Sequence, residues 1–130
     1  MEWFIPHNVP SSKNSKEIVW NAKLGRRMLV SSGLVKKYTK ATEWDYKLLG
    51  AEFKREIKKH GLEFPLKVEF TFIRDSRRQF DYINAAQIVQ DLMVKHNWIP
   101  DDSMKYLKPV FGDYILNKKR PGVKIKILKS

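Results

Sequence analysis

The sequence predicts one α+β domain over residues 1–130, a mixed β-sheet with two main helices, and three observations carry that prediction. A chain of 130 residues is long enough for a single core and short for two. Its 42% hydrophobic and 12% aromatic residues supply a packed interior despite a formal charge of +12, so an unfolded chain is not expected. Stretches of alternating apolar and polar residues are interspersed with stretches of helical spacing, and the connections between them read as hairpin-like.

The elements follow in order. Trp3-Phe4-Ile5 reads as a short strand stopped by Pro6, and Val9–Asn14 has the Pro, Ser and Asn of a loop. Glu17–Trp20 and Arg27–Val30 read as a hairpin around Asn21–Arg26, which contains Gly25. Ser31 or Ser32 is the N-cap candidate for a long helix. Leu34, Tyr38, Ala41, Leu48 and Ile57 fall near one face of it, Trp44 lies on a neighbouring flank, and Gly61 is its stop. Gly50 interrupts this helix, so a kink or break is expected there. Leu66–Phe72 alternates cleanly as a strand, and Arg74–Phe80 is a polar, basic loop. A second helix runs from about Asn84 to His96, with Ala85, Ile88, Val89, Leu92 and His96 on one side. Trp98-Ile99-Pro100 ends it, Asp101-Asp102-Ser103 makes a turn, and Tyr106–Phe111 is a strand. Asn117–Gly122 is a basic turn, and Val123–Leu128 is the last strand.

Composition narrows the function. With no cysteine there is no disulfide framework, no thiolate nucleophile and no Cys-ligated zinc or iron–sulfur centre; a reducing cytoplasmic setting is expected. No apolar run approaches the roughly 20 residues of a membrane span, and Met1–Pro6 lacks the basic and apolar stretches of a secretory signal. The charge is uneven: +3 over residues 1–30, +4 over 31–60, zero over 61–100 and +5 over 101–130. Basic flanks around a neutral middle suit a polyanion, because each Lys or Arg that meets a phosphate releases condensed counterions. A solubilising surface is the plainer reading. An anionic membrane fits less well, since the cations do not line one face of a strongly amphipathic helix.

The chemistry-bearing stretch is residues 74–105, with Asp75, Asp81, Asp91, Asp101 and Asp102 accompanied by Asn84 and Gln87. On a helix Asn84 and Asp91 are offset by roughly 20° in azimuth, and Gln87 shares that face with Asp91 four residues on. Clustered carboxylates in a basic protein suit Mg²⁺, which prefers oxygen ligands and keeps waters while gripping phosphate; the chemistry is then phosphodiester hydrolysis. Each acid also has a plainer reading: Asp81 as a helix N-cap, Asp101 and Asp102 as turn residues after Pro100, Asp91 as a solvated helix acid near Lys95. His7, His60 and His96 are too scattered for a triad or a zinc site. No nucleophile elbow, Walker loop or dinucleotide fingerprint is present.

The chain resembles the RusA family of Holliday junction resolvases, small phage- and prophage-borne nucleases, over nearly its whole length. The resemblance rests on Pro10-Ser11-Ser12-Lys13-Asn14, on Arg77-Arg78-Gln79-Phe80-Asp81-Tyr82-Ile83-Asn84, on Gln90-Asp91-Leu92, and on Trp98-Ile99-Pro100-Asp101-Asp102. It implies a RusA-like nuclease fold and a homodimer that nicks a four-way DNA junction in pairs with Mg²⁺, or Mn²⁺ in its place, in the cytoplasm of a bacterium or phage-infected cell. It carries the catalytic aspartates over to Asp81 and Asp102, with Asp91 and Asp101 at further acidic positions. Ile83 stands where the family has its second acid, and Gln87 where it has a lysine. Asp91, or Asn84 through its side-chain oxygen, is then the replacement metal ligand, leaving Asp81, Asp91 and Asp102 as a three-carboxylate set. Arg77, Arg78 or a lysine replaces the cation. DNA contacts are expected from Arg74, Arg77 and Arg78, from Lys13, and from Lys118, Lys119 and Arg120. Two rival readings stay open: a degenerate member that binds branched DNA without cutting it, and, more remotely, an RNA-binding or protein-interaction module.

Overall fold

The computed structural model describes residues 1–11, 16–31, 33–77 and 80–128, with residues 16–21 and 27–31 described by backbone alone. In chain order the elements are β1 (Glu2–Pro6), β2 (Lys16–Asn21), β3 (Arg26–Ser31), α1 (Gly33–Ala41), α2 (Glu43–Lys59), β4 (Leu66–Arg74), α3 (Tyr82–Lys95), β5 (Leu107–Phe111), β6 (Ile115–Leu116) and β7 (Gly122–Leu128). The class is α+β: a five-stranded mixed sheet, a separate hairpin and three helices.

In the large sheet the order is β1-β7-β4-β5, with β6 continuing beside β4 where β5 stops. β1 and β4 both pair antiparallel with β7, while β5 and β6 lie parallel to β4. A parallel neighbour requires a long crossover, and residues 75–106, which contain α3, provide it, so this connection is not hairpin-like. Period-two alternation sends Leu66, Val68, Phe70 and Phe72 of β4 to the inner face, in one core with Trp3, Ile5, Val123 and Ile125. Tyr46 and Phe53 of α2 and Ala85, Val89, Leu92 and Met93 of α3 complete that core. β2 and β3 pair as the expected hairpin, with Glu17 opposite Val30 and Trp20 opposite Arg27, and it turns at Gly25 with a φ of 61°. Among the described residues no helix is long and apolar enough to cross a membrane.

The long helix differs from expectation in two ways. It breaks at Thr42, not at Gly50: Thr42 has φ −107° and ψ 5°, and both its backbone N–H (3.0 Å) and its Oγ1 (2.8 Å) donate to the Tyr38 carbonyl. Such back-bonding by a threonine hydroxyl bends a helix. Gly50 sits inside α2 for space, because a Cβ there would stand 2.6 Å from Trp98 Nε1. The buried face is also rotated. Tyr38, Thr42, Tyr46, Gly50 and Phe53 form it, whereas Leu34 and Leu48, expected on it, are 62% and 64% exposed. Of the two cap candidates, Ser31 closes β3 and Ser32 lies outside the described residues.

Candidate functional site

α3 positions two of the candidate acids, Asp81 as its cap and Asp91 within it. It begins one residue after Asp81, whose Oδ1 accepts the backbone N–H groups of Ile83 (2.9 Å) and Asn84 (3.2 Å), satisfying two of the donors that a helix start leaves unpaired. The approach to this cap is fixed by rings: Phe80 lies 4.7 Å from Tyr82 and 5.4 Å from Tyr114, and Tyr82 lies 5.7 Å from Phe111. These tilted contacts, with the edge-to-face contacts that Phe72 of β4 makes to Phe80 and Tyr82, hold the segment against β4 and the edge of the sheet.

One turn further along, Ile83, Gln87 and Asp91 follow each other at four-residue spacing on the exposed face of α3. Gln87 Nε2 donates to Asp91 Oδ1 at 2.7 Å and to Asp102 Oδ2 at 3.2 Å. Asp102 reaches this position from the turn after α3, and that turn is pinned on both sides. Trp98 and Ile99 are buried, the Trp98 backbone N–H donates to the Met93 carbonyl, and its indole Nε1 donates to the Tyr46 carbonyl at 2.7 Å. Past the acids, the N–H groups of Tyr106 and Leu107 both donate to the Ser103 carbonyl. Two carboxylates from separate segments thus face one amide donor on the surface.

The carboxylates that meet are Asp91 and Asp102. Asp101 is exposed beside them in the chain, and Asn84 lies one helical turn before Gln87. Asp81 stands ten residues before Asp91, about 15 Å of helix rise, too far for both to ligate one ion from where they stand. Among the described residues no group of three or more His, Cys, Asp or Glu could hold a metal ion. The donor set fits Mg²⁺ in chemistry, since the ion takes one or two carboxylates and completes its shell with water and substrate phosphate. It does not form a cage of three protein carboxylates.

The expected DNA contacts divide into three groups. Lys13 and Arg78 lie outside the described residues. Arg77, Lys118, Lys119 and Arg120 are exposed; the turn that carries the last three is shaped by Asn117 Oδ1, which accepts the backbone N–H groups of Lys119 and Arg120 at 3.0 and 3.2 Å. The Arg120 guanidinium lies 4.6 Å over the Phe4 ring. Arg74 is committed internally: its guanidinium donates to the Val9 carbonyl and lies 4.8 Å over Phe80. Burial lowers its pKa, with Asp75 and Tyr114 opposing.

Sequence reasoning placed Gln87 and Asp91 on one face but missed that Gln87 also holds Asp102. Their separation of fifteen residues leaves no periodic signal, and only the packing of Trp98 closes the distance. No protein-family model matches the chain, and no curated protein matches it.

Proposed function

We propose that the protein is a Mg²⁺-dependent, structure-specific endodeoxyribonuclease that resolves branched DNA such as four-way junctions by paired phosphodiester hydrolysis. The convergence of Asp91 and Asp102 on the Gln87 amide, at the surface of a chain of net charge +12, carries this reading. Asp91 and Asp102 would hold the cation with Asp101 and Asn84 beside them, and the exposed Arg77, Lys118, Lys119 and Arg120 would hold the DNA arms. A bound Mg²⁺, or Mn²⁺ in its place, supplies activation of water and neutralisation of charge on the phosphate. Asp81, which with Asp102 is one of the two acids that the RusA resemblance marks as catalytic, orders the start of α3 and adds negative charge there. The resemblance also supplies the homodimer, since a two-fold junction calls for two symmetric sites, and a cytoplasmic place in a bacterial or phage-infected cell.

A second reading has its own observation. Ile83 is 70% exposed on the face that carries Gln87, so an apolar side chain occupies solvent where a ligand would serve, and a neutral amide already bridges the two carboxylates. That arrangement favours a protein that recognises branched DNA without cutting it. Cleavage of a labelled four-way junction against linear duplex, in Mg²⁺ and in Mn²⁺, separates the two. Symmetric nicks that Asp102→Asn loses while retaining binding establish the nuclease. Tight, salt-sensitive binding with no nicks in either metal establishes the recognition protein. Equal binding of linear duplex, RNA and junction would sink both.

A further inference from the structure

We propose that the cleft between α2 and the turn at residues 97–100 docks an acidic peptide segment carrying one apolar anchor side chain. This does not depend on whether the protein cleaves DNA. The cleft has a volume of about 310 Å³ and is lined by Ile57, Phe64, Trp98, Ile99 and Pro100, with Lys54 and Asn97 as its polar members. Its floor is built rather than incidental. Trp98 and Ile99 are each 2% exposed, and the Trp98 indole is locked to the Tyr46 carbonyl. Phe64, by contrast, leaves 43% of its surface to solvent and meets Tyr106 edge-on at 5.1 Å. A rigid apolar floor with an exposed aromatic wall is the form of an anchor pocket for one side chain.

Charge selects the rest of the partner. Lys54 and Lys58 share the α2 face that presents Ile57, at i and i+4, and both are exposed. On the other side Lys105 Nζ lies 5.4 Å over the Tyr106 ring, next to Phe64. Neither lysine of the α2 face forms an ion pair among the described residues, whereas Glu56 on the same helix is taken up by His60 at 3.0 Å. Glu63 and Asp101 flank the cleft in sequence and are outnumbered by these cations. A second copy of a chain with net charge +12 would meet its own sign here. Phosphate binding needs the cations and has no use for the apolar floor. An acidic segment with an apolar side chain uses both.

The test measures anisotropy of a labelled pentapeptide, four aspartates followed by phenylalanine, titrated with the full chain. The controls are the same peptide with the phenylalanine replaced by serine, and with the aspartates replaced by serine. The anchored acidic peptide should saturate, and each control should bind about tenfold more weakly or worse. Lys54→Glu, at an exposed position, should weaken it by about tenfold, and Phe64→Ala should do the same with an unchanged circular-dichroism melt. Amide shifts in an NMR titration should centre on Lys54, Asn97 and Ile99, which keeps the proposal testable even where Phe64→Ala disturbs the fold. Equal binding of the anchored and serine-ended acidic peptides would overturn the proposal. So would absence of saturation, or displacement of the peptide by duplex DNA shifting the same amides.

Discussion

Gln87 and Asp102 are fifteen residues apart in the chain and 3.2 Å apart at the surface, joined through an amide nitrogen that also serves Asp91. Without that donor the two carboxylates would lose the partner they share, and neighbouring like charges repel. The buried Trp98–Ile99 turn brings the pair together, and the amide lets the surface tolerate it.

Replacing the donor by an acceptor inverts the balance. Gln87→Glu puts a third carboxylate against Asp91 and Asp102 and supplies the oxygen set that Mg²⁺ prefers. Without divalent cation the variant should melt several degrees below the parent, by about 1–2 kcal/mol of like-charge repulsion. Mg²⁺ or Mn²⁺ should restore much of that loss, because an ion that binds only the folded state stabilises it by mass action. A variant whose melting temperature ignores both cations would show that the pair does not present a cation site.

Asp81 combines two properties that substitution can separate. Asp81→Ala removes the acceptor for the Ile83 and Asn84 N–H groups and should cost about 1 kcal/mol. Asp81→Asn keeps an equally good cap without the charge, so its stability in urea should stay within a few tenths of a kcal/mol of the parent. Junction cleavage then reports on the charge alone: full activity in Asp81→Asn would confine Asp81 to capping.

Gly50→Ala tests why the glycine is where it is. A methyl group at this position would stand 2.6 Å from the Trp98 indole nitrogen, against a ring that is buried and hydrogen-bonded. Overpacking should outweigh the gain in helix propensity and leave a net loss of about 1–2 kcal/mol. Combining it with Trp98→Phe, which withdraws the indole nitrogen, should give a double variant less destabilised than the sum of the singles. Additive losses would place the strain elsewhere.

Much of the sheet was legible because alternation leaves few choices: Leu66–Phe72 and Val123–Leu128 could bury only one set of side chains. The long helix was legible in existence but not in phase. Glycine is the obvious breaker in a sequence, yet Gly50 answers a tertiary neighbour, and the bend is made by Thr42, whose hydroxyl competes for a backbone carbonyl. The site was half legible for a similar reason. The Gln87–Asp91 contact follows from helical spacing, while Asp102 joins them only through the buried Trp98–Ile99 turn.

His96 supplies a pH dependence with a defined sign. Its ring stacks on Tyr46 at 6.1 Å and 17°, and its Nε2 is buried without a hydrogen-bond partner. Burial lowers its pKa from 6.5, Lys95 and Lys47 lower it further, and Glu43 opposes them. The folded state therefore holds its proton less tightly than the unfolded chain. Above pH 6.5, where the ring is neutral in both states, its contribution to stability is complete; as pH falls from there through the lower folded-state pKa, that contribution is lost. His96→Phe keeps an aromatic ring on Tyr46 and removes the titration. Between pH 7.5 and pH 5 the parent should lose more melting temperature than this variant, measured in matched ionic strength. Parallel curves would mean that the half-buried imidazole accepts its proton in the folded protein as readily as in the unfolded one.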